Sequence, residues 1–357
     1  MFTLVLVTRN RPDFLRRSLA FYQLSKLHAP IIISDGSDSS DLSKTREVVE
    51  QFKSTLDVSY IQAEPNNPPF VRLAQLLSNI KTPYVAWVAD DDFMVPASIE
   101  FGVQLLNNDP LSVAVVGRAL LFEVENDGVW GKIVNTGVYP QKACLESDLG
   151  ERLVSHMSTY CSTAYTLRRV EMMRESLALI NKMQWASRDC NCFSELLDSM
   201  VMVAGGKIVH SGQLMLIRQA HENMTSVNEQ INISAFDLLM EEEWYSDLKQ
   251  LNDALVDYLM SKKLASSIDA QSIAGRAIGL MLAKKLQKNL LPDSYKNRSQ
   301  GRVIGVLMRL PVFSYLSASG YRKTLLGWRE AVRHCIRSRE DRDILSNVYR
   351  ALASNDS

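Results

Sequence analysis

Glycine-rich phosphate loops and disulfide frameworks are both missing from this sequence. It has 16 glycines in 357 residues, and neither G-x-G-x-x-G nor G-x-x-x-x-G-K-[ST] occurs. Such loops hold the phosphates of dinucleotides and of ATP or GTP, so their absence argues against dehydrogenases and P-loop enzymes. The 5 cysteines are an odd number at irregular spacing, which is typical of reduced thiols rather than of disulfide pairs.

Long apolar runs are missing as well. The run over residues 111–121 is interrupted by Arg118 and falls short of the ~18 residues that a membrane span needs. The first residues show no basic region followed by a long apolar stretch and a cleavage site. We therefore expect no secretion signal and a cytoplasmic protein.

The overall charge is balanced, but one region is strongly basic. The chain has 40 Lys+Arg and 40 Asp+Glu, whereas residues 276–350 contain 16 Lys+Arg against 5 Asp+Glu, a local charge of +11. With 46% hydrophobic and 22% charged residues, the chain has the composition of a folded globular protein. At roughly 150 residues per domain, its length predicts two or three structural units.

The first 90 residues alternate short apolar runs with helical patterns. Strands are predicted over residues 3–7, 31–33, 58–62 and 84–88, and helices over residues 12–26, 44–52 and 71–80. This alternation predicts a parallel α/β sheet, in which ligands bind beyond the carboxyl ends of the strands. Further strands are predicted over residues 113–116, 119–123 and 164–167, with helices over residues 170–180 and 191–202. After residue 231 the pattern is helical only.

Three adjacent carboxylates, Asp90, Asp91 and Asp92, follow the fourth predicted strand directly. Like charges in a row raise one another's pKa and are costly unless a cation neutralises them. Mg²⁺ or Mn²⁺ together with phosphate oxygens would do so, because both ions prefer oxygen ligands. The alternative interpretation of this cluster is a solvated acidic turn.

Two further positions suggest ligand contacts. Asp35 ends the second predicted strand, where a carboxylate can bind a ribose or a base, although an Asx-turn would also explain it. Arg218 and His221 are three residues apart and could converge on one diphosphate and its metal ion.

The order of these segments resembles the large inverting GT-A glycosyltransferase family known as family 2. The resemblance rests on TRNRP after the first strand, IIISDGSD, YVAWVADDDF, RDCNCFSELL, AGGKI and RQAH, and it covers about residues 1–225. It implies a GT-A domain over residues 1–230, with a nucleotide-binding half (1–95) and an acceptor half (96–230). An all-helical C-terminal domain would follow over residues 231–357.

The resemblance also implies roles for single residues. The family's first Asp position holds Ala89 here, so Asp90, Asp91 and Asp92 are alternative metal and ribose ligands. We assign the metal, Mn²⁺ or Mg²⁺, to Asp92 and His221, and the catalytic base to Asp189, with Glu195 as the alternative base. The residues expected to bind the nucleotide sugar are Thr8, Arg9, Asp35, Arg72, Asp90, Asp91 and Arg218.

The predicted function is metal-dependent, inverting sugar transfer from a nucleotide-diphosphate sugar, with UDP favoured, to a hydroxyl group. A glycan or lipid-linked glycan is the expected acceptor, during assembly of a surface polysaccharide. A non-catalytic glycan-binding or scaffold protein with a degenerate transferase fold is the alternative, which Ala89 leaves open. Nucleic acid is not an expected partner, because no stacking-aromatic motif accompanies the basic region.

The basic C-terminal region allows three interpretations. Its positive charge and the apolar segment over residues 303–316 are typical of proteins held at the inner face of an anionic membrane. An interface between copies of the chain and plain packing against the catalytic domain are the two alternatives.

Overall fold

The protein is described from a computed structural model. The structure describes residues 1–65, 67–187, 190–221, 240–290 and 334–353, with backbone only for residues 190 and 284–290.

The first 90 residues form the predicted parallel sheet. Its strands, in the spatial order β3-β2-β1-β4, are β1 (Phe2–Thr8), β2 (Ile31–Asp35), β3 (Val58–Gln62) and β4 (Tyr84–Ala89). The connecting helices are α1 (Pro12–Leu24), α2 (Ser39–Phe52) and α3 (Pro69–Leu76). Every residue of β1 and β2 is buried, as expected where elements cover both faces of a parallel sheet.

A mixed extension continues the sheet on the far side of β4. Its strands are β5 (Phe93–Met94), β6 (Ser112–Val124), β7 (Ile133–Tyr139), β8 (Leu167–Arg169) and β9 (Lys207–Gln219). β8 lies antiparallel between β4 and β6, β9 runs parallel to β6, and β7 pairs with β6. The helices of this half are α4 (Pro96–Asn108), α5 (Leu149–Ser158), α6 (Val170–Ile180) and α7 (Cys190–Gly205).

The sequence predicts two separate strands, over residues 113–116 and 119–123, in the region that β6 occupies. The structure has one strand, with register shifts against β9 on both sides of Arg118. Gly117 is needed there, because a Cβ at this position would lie 2.5 Å from Met215 Cβ. The third predicted strand of this half, over residues 164–167, begins only at Leu167 as β8.

Three helices follow in the described C-terminal part, α8 (Glu242–Ser261), α9 (Ser267–Leu290) and α10 (Arg339–Ala353). α8 packs on α7, α9 packs on α5, and α10 packs on α1. A buried ion pair of 3.0 Å between Arg118 Nη2 and Asp341 Oδ1 ties β6 to α10. Leu251 and Leu255 of α8 belong to the same apolar core as Trp87 of β4.

The segment over residues 303–316, which suggested a membrane surface, lies outside the described residues. In the described part of the chain, no helix has the length and apolar character required to cross a membrane.

Candidate functional site

The carboxyl ends of β1, β2 and β4 meet at one edge of the sheet. Thr8 is the register partner of Asp35, and Thr8 Oγ1 donates to Asp90 Oδ2 at 2.6 Å. Side chains from three predicted strands therefore come together where α/β sheets bind their ligands. The three consecutive carboxylates are all buried, which excludes the solvated acidic turn.

Asp92 is held on both of its carboxylate oxygens. Arg218 Nε donates to Oδ2 at 2.9 Å, and the backbone N–H of Gln219 donates to Oδ1 at 3.0 Å. The Arg218 guanidinium lies between the rings of Tyr139 and Tyr165, at 4.6 and 4.5 Å from their centroids. Asp92 thus links the end of β4 to the end of β9.

Asp91, rather than Asp92, meets His221. Asp91 Oδ2 lies 2.9 Å from His221 Nε2 and accepts a hydrogen bond from Arg11 Nη2 at 2.7 Å. Arg11 Nη2 is also 3.3 Å from His221 Nε2. The Phe14 ring stacks on the His221 ring at 5.4 Å and lies 4.2 Å from the Arg11 guanidinium carbon. Our assignment of a metal ion to Asp92 and His221 stays a prediction; in this structure Asp92 faces Arg218.

Helix α1 holds the backbone of the carboxylate turn. Arg17 Nη2 donates to the Asp91 carbonyl at 2.9 Å, and Ser18 Oγ donates to the Asp90 carbonyl at 2.8 Å. Arg17 is fully buried, and burial lowers its pKa to about 10. Arg17 therefore stays positively charged at neutral pH and holds the backbone of the turn in place.

Neighbouring carboxylates of the turn have opposite pKa shifts. Burial raises the pKa of Asp90 to about 7, with a further contribution from the negative charge of Asp91 and opposition from Arg11. For Asp91, burial acts upward as well, but the hydrogen bond from His221 and the charge of Arg11 hold its pKa well below the usual range. Of these two carboxyl groups, Asp91 therefore favours its charged form more strongly.

Asp35 forms a turn and also lies at the edge of the sheet where α/β folds bind their ligands. Its Oδ1 accepts from the backbone N–H of Ser37 at 2.8 Å, and its Oδ2 accepts from the Tyr60 hydroxyl at 2.8 Å. The Asx-turn is thus present. The expected contact with a ribose or a base stays a prediction.

Arg72 and Arg9 differ in burial at the end of β1. Arg72 is buried and donates from Nη1 to the Thr8 carbonyl at 2.7 Å. Gly36 makes room for it, because a Cβ there would be 2.7 Å from Arg72 Nη1. Arg9 is exposed, with Nη2 4.0 Å from Asp38 Oδ1. Their proposed contacts with the nucleotide remain predictions.

The expected catalytic base, Asp189, lies outside the described residues. The alternative base, Glu195, is on α7, half-buried, and its Oε1 accepts a hydrogen bond from the Tyr160 hydroxyl at 2.6 Å. Burial raises the pKa of Glu195.

The sequence analysis missed four residues of the site, namely Arg11, Arg17, Tyr139 and Tyr165. Arg17 left a signal, because it is three residues after Phe14 and four before Phe21, on the buried face of an amphipathic helix. An arginine on such a face needs a carboxylate or carbonyl partner. The two tyrosines left no signal, since they reach Arg218 from segments distant in sequence, the end of β7 and the turn before β8.

A divalent cation would find suitable donor atoms here, although not a complete protein cage. Among the residues that the structure describes, no group of three or more His, Cys, Asp or Glu side chains could hold a metal ion. Asp91 and His221 converge to 2.9 Å, with a guanidinium nitrogen beside both. An ion such as Mg²⁺ often takes one or two protein carboxylates and completes its shell with phosphate oxygens and water. Asp91 and His221 fit such an ion once Arg11 has moved away.

Comparison with known proteins identifies a family whose sequence model matches the part of the chain that contains the carboxylate turn. The sequence model of glycosyl transferase family 2 matches residues 3–176. This part of the chain is a family 2 glycosyltransferase domain. The predicted fold class, a GT-A fold followed by helices, is thereby confirmed, whereas the bounds 1–230 and 231–357 stay predictions. The family match supports glycosyltransferase activity with a nucleotide-sugar donor.

Similar solved structures include S. aureus TarS and a mannosyltransferase. Residues 1–349 of S. aureus TarS, in complex with UDP-GlcNAc, are 14% identical with a TM-score of 0.45, covering 84% of this chain and 92% of that chain. Mannosyltransferase PcManGT from Pyrobaculum calidifontis, with GDP-Man and Mn²⁺, is 11% identical with a TM-score of 0.42, covering 98% of this chain and 86% of that one. A search of curated proteins gives no match.

Proposed function

We propose that this family 2 glycosyltransferase transfers a sugar, with inversion, from a nucleotide-diphosphate sugar to a hydroxyl group. The observation that carries the proposal is the convergence of Thr8, Asp91, Arg218 and His221 at the carboxyl ends of the parallel strands. A UDP-sugar is the favoured donor, and a glycan or lipid-linked glycan is the acceptor.

The donor would lie along the end of β1. In this proposal Asp35 binds the ribose or the base, and Thr8, Arg9 and Arg72 line the path towards the diphosphate. Asp35 and Arg72 are anchored by hydrogen bonds to the protein, so their positions are set before a ligand arrives. Such pre-organised polar groups reduce the entropy lost on binding.

The leaving group is a nucleoside diphosphate, so negative charge grows on its terminal phosphate as the glycosidic bond breaks. We assign a bound Mn²⁺ or Mg²⁺ to Asp91 and His221, where it would stabilise that charge. Arg218 lies beside the same carboxylate turn. Its contacts with Asp92 and the rings of Tyr139 and Tyr165 hold the positive charge in position. Pre-organised positive charge of this kind accelerates the reaction without costly reorganisation.

The acceptor hydroxyl would attack the anomeric carbon on the face opposite the leaving diphosphate. A base must take its proton, and the family resemblance gives this role to Asp189. Glu195 is the alternative, because it lies on α7 and burial raises its pKa. The oxygen–carbon bond formed replaces the one that breaks, and the proton passes to the carboxylate.

Assembly of a surface polysaccharide on the cytoplasmic side of the membrane is the proposed setting. The net charge of +11 over residues 276–350 supports contact with the inner, anionic face of a membrane. An oligomer interface through the same region is the alternative.

Calorimetry with UDP, GDP, CMP and dTDP, each with and without Mn²⁺, tests the proposal. We expect one nucleoside diphosphate to bind in the presence of Mn²⁺, and Asp91→Asn to weaken that binding by at least about tenfold. Asp253→Asn is the matched control, because Asp253 is an exposed carboxylate on α8 that pairs with Lys249.

Two outcomes would overturn the proposal. If no nucleotide binds under any condition, the non-catalytic scaffold becomes the better interpretation, in agreement with Ala89 at the family's first Asp position. If Asp91→Asn binds as the parent protein does, the donor site is not at this turn.

A further inference from the structure

Arg11 occupies the position of a cation in the donor site. Its Nη2 lies 2.7 Å from Asp91 Oδ2 and 3.3 Å from His221 Nε2, and its Nη1 lies 3.4 Å from Asp90 Oδ1. These partners include the two residues that we assign to a metal ion. A guanidinium therefore sits where a divalent cation would bind.

Positive groups already surround the ligand-free turn. Three arginines, Arg11, Arg17 and Arg218, lie against its three aspartates. A divalent cation added to this arrangement would meet a positive group within contact distance. Two like charges that close repel strongly in a partly buried site. Arg11 and a metal ion should therefore exclude one another.

Of the three arginines, Arg11 is the one whose side chain is most free to move away from the turn. Arg17 is buried and donates to carbonyls on two different segments. Arg218 is enclosed by Tyr139 and Tyr165. The Arg11 side chain is 25% exposed and rests on the face of Phe14, so it can move aside without displacing the core.

We propose that Arg11 is an exchangeable internal cation of the donor site. It neutralises Asp91 and Asp90 in the free protein, yields its position to the divalent ion, and moves onto a phosphate oxygen of the donor. The last step rests on the proposed function, whereas the competition between Arg11 and the metal ion does not.

The exchange has a thermodynamic consequence. Metal ion alone must displace Arg11 without offering it a new partner, so it binds weakly. Metal ion together with a nucleoside diphosphate offers the guanidinium a phosphate, so the two ligands bind with positive cooperativity. The size of that cooperativity depends on Arg11.

Calorimetric titration of the full chain with Mn²⁺ in the absence of nucleotide is the test. We expect Arg11→Gln to bind Mn²⁺ at least about tenfold more tightly than the parent protein, because the competing cation is gone. Arg16→Gln is the matched control, since Arg16 is a half-buried arginine of the same helix whose Nη1 donates to Gln51 Oε1. It should leave the Mn²⁺ affinity unchanged.

Arg11→Lys provides a second variant if Arg11→Gln does not fold. Lysine keeps the charge but lacks the planar fork that reaches Asp90 and Asp91 together. We expect it to tighten Mn²⁺ binding several-fold, roughly within the usual range of coupling between sites. Equal or weaker Mn²⁺ binding by the folded variant would overturn the exchange.

Repeating the titrations with UDP and GDP present separates this proposal from the proposed function. With whichever nucleotide binds, the cooperativity between Mn²⁺ and nucleotide should shrink in Arg11→Gln, and unchanged cooperativity would contradict the transfer of Arg11 to a phosphate. Absence of nucleotide binding would count against the proposed function and the phosphate step, while tighter Mn²⁺ binding by Arg11→Gln would still support the competition.

Discussion

The Arg168–Asp198 pair and the Arg11–Asp91 pair both join an arginine to a buried carboxylate, but only the first is closed to solvent. Arg168 and Asp198 have side chains that are each 1% exposed, and their hydrogen bonds measure 2.8 and 2.9 Å. Ser176 Oγ donates to the same carboxylate, and Arg168 Nη2 donates to the Thr163 carbonyl. The Arg11 side chain is 25% exposed and reaches Asp91 through a single nitrogen.

This difference separates a structural ion pair from an exchangeable one. The closed pair fixes β8 against α6 and α7, because the Asp198 carboxylate on α7 accepts from Arg168 on β8 and from Ser176 on α6. The open pair lies at the ligand edge of the sheet, where another cation can replace the arginine. Buried charge by itself therefore does not mark a binding site, whereas buried charge with a replaceable partner does.

Removing one member of the closed pair should have the largest effect. Asp198→Ala leaves the Arg168 charge buried and unpaired, and we expect it to lower the free energy of unfolding by about 3–5 kcal/mol. Urea denaturation measures this change. The control, Asp253→Ala, breaks an exposed pair and should cost under about 1 kcal/mol. Similar losses in both variants would contradict the structural role of Arg168 and Asp198.

A buried histidine with no hydrogen bond on Nε2 among the described residues sharpens the contrast. His156 is buried on α5, its Nε2 has no hydrogen-bond partner among the described residues, and burial lowers its pKa from 6.5 to about 4. The unfolded chain takes up a proton between these values, so stability is full above pH 6.5 and falls as the pH drops towards 4. The loss should approach roughly 3 kcal/mol. The charges facing His156 are those of Lys142 and Glu146.

Denaturation at pH 7 and pH 4.5 tests this prediction with two variants. His156→Gln should be less sensitive to acid than the parent protein, whereas His28→Gln should match it, because His28 is exposed. If His156→Gln loses as much stability on acidification as the parent, then His156 is not a source of the acid sensitivity.

The smallest effect should come from the open pair. Arg11→Gln should cost only about 1 kcal/mol of unfolding free energy, because solvent and His221 compensate in part. Mn²⁺ should restore that loss in Arg11→Gln and leave an Arg168→Gln variant unaffected. Thermal denaturation with and without Mn²⁺ measures both. Rescue of the two variants to the same degree would erase the distinction between the pairs.

Local patterns were sufficient to predict the parallel sheet of the first 90 residues. β1, β2 and β4 are apolar runs that end in polar residues, and their polar ends meet as expected at Thr8, Asp35 and Asp90. α2 begins earlier than predicted, at Ser39, because its first turns are polar and carry no apolar period. Parallel sheets buried on both faces leave strong signals of this kind.

The pairing of charges could not be predicted in the same way. Asp91 meets His221, which lies 130 positions further along the chain, and Arg118 interrupts an apolar run only because Asp341 neutralises it from α10. Nothing near Asp91 or Asp92 in the sequence tells which of them faces His221 and which faces Arg218. Those partners are set by β9, whose position depends on the whole sheet.

Hydrolysis of nucleotide sugars, with water as the acceptor, tests the central claim most directly. Purified protein would be incubated with Mn²⁺ and α-linked UDP-, GDP- and dTDP-sugars, and proton NMR would follow the anomeric configuration of the released sugar. The account predicts that one donor yields a nucleoside diphosphate and a sugar first released as the β-anomer, and that Asp91→Asn abolishes the release while Asp253→Asn does not. Release of the α-anomer, or release unaffected by Asp91→Asn, would contradict it.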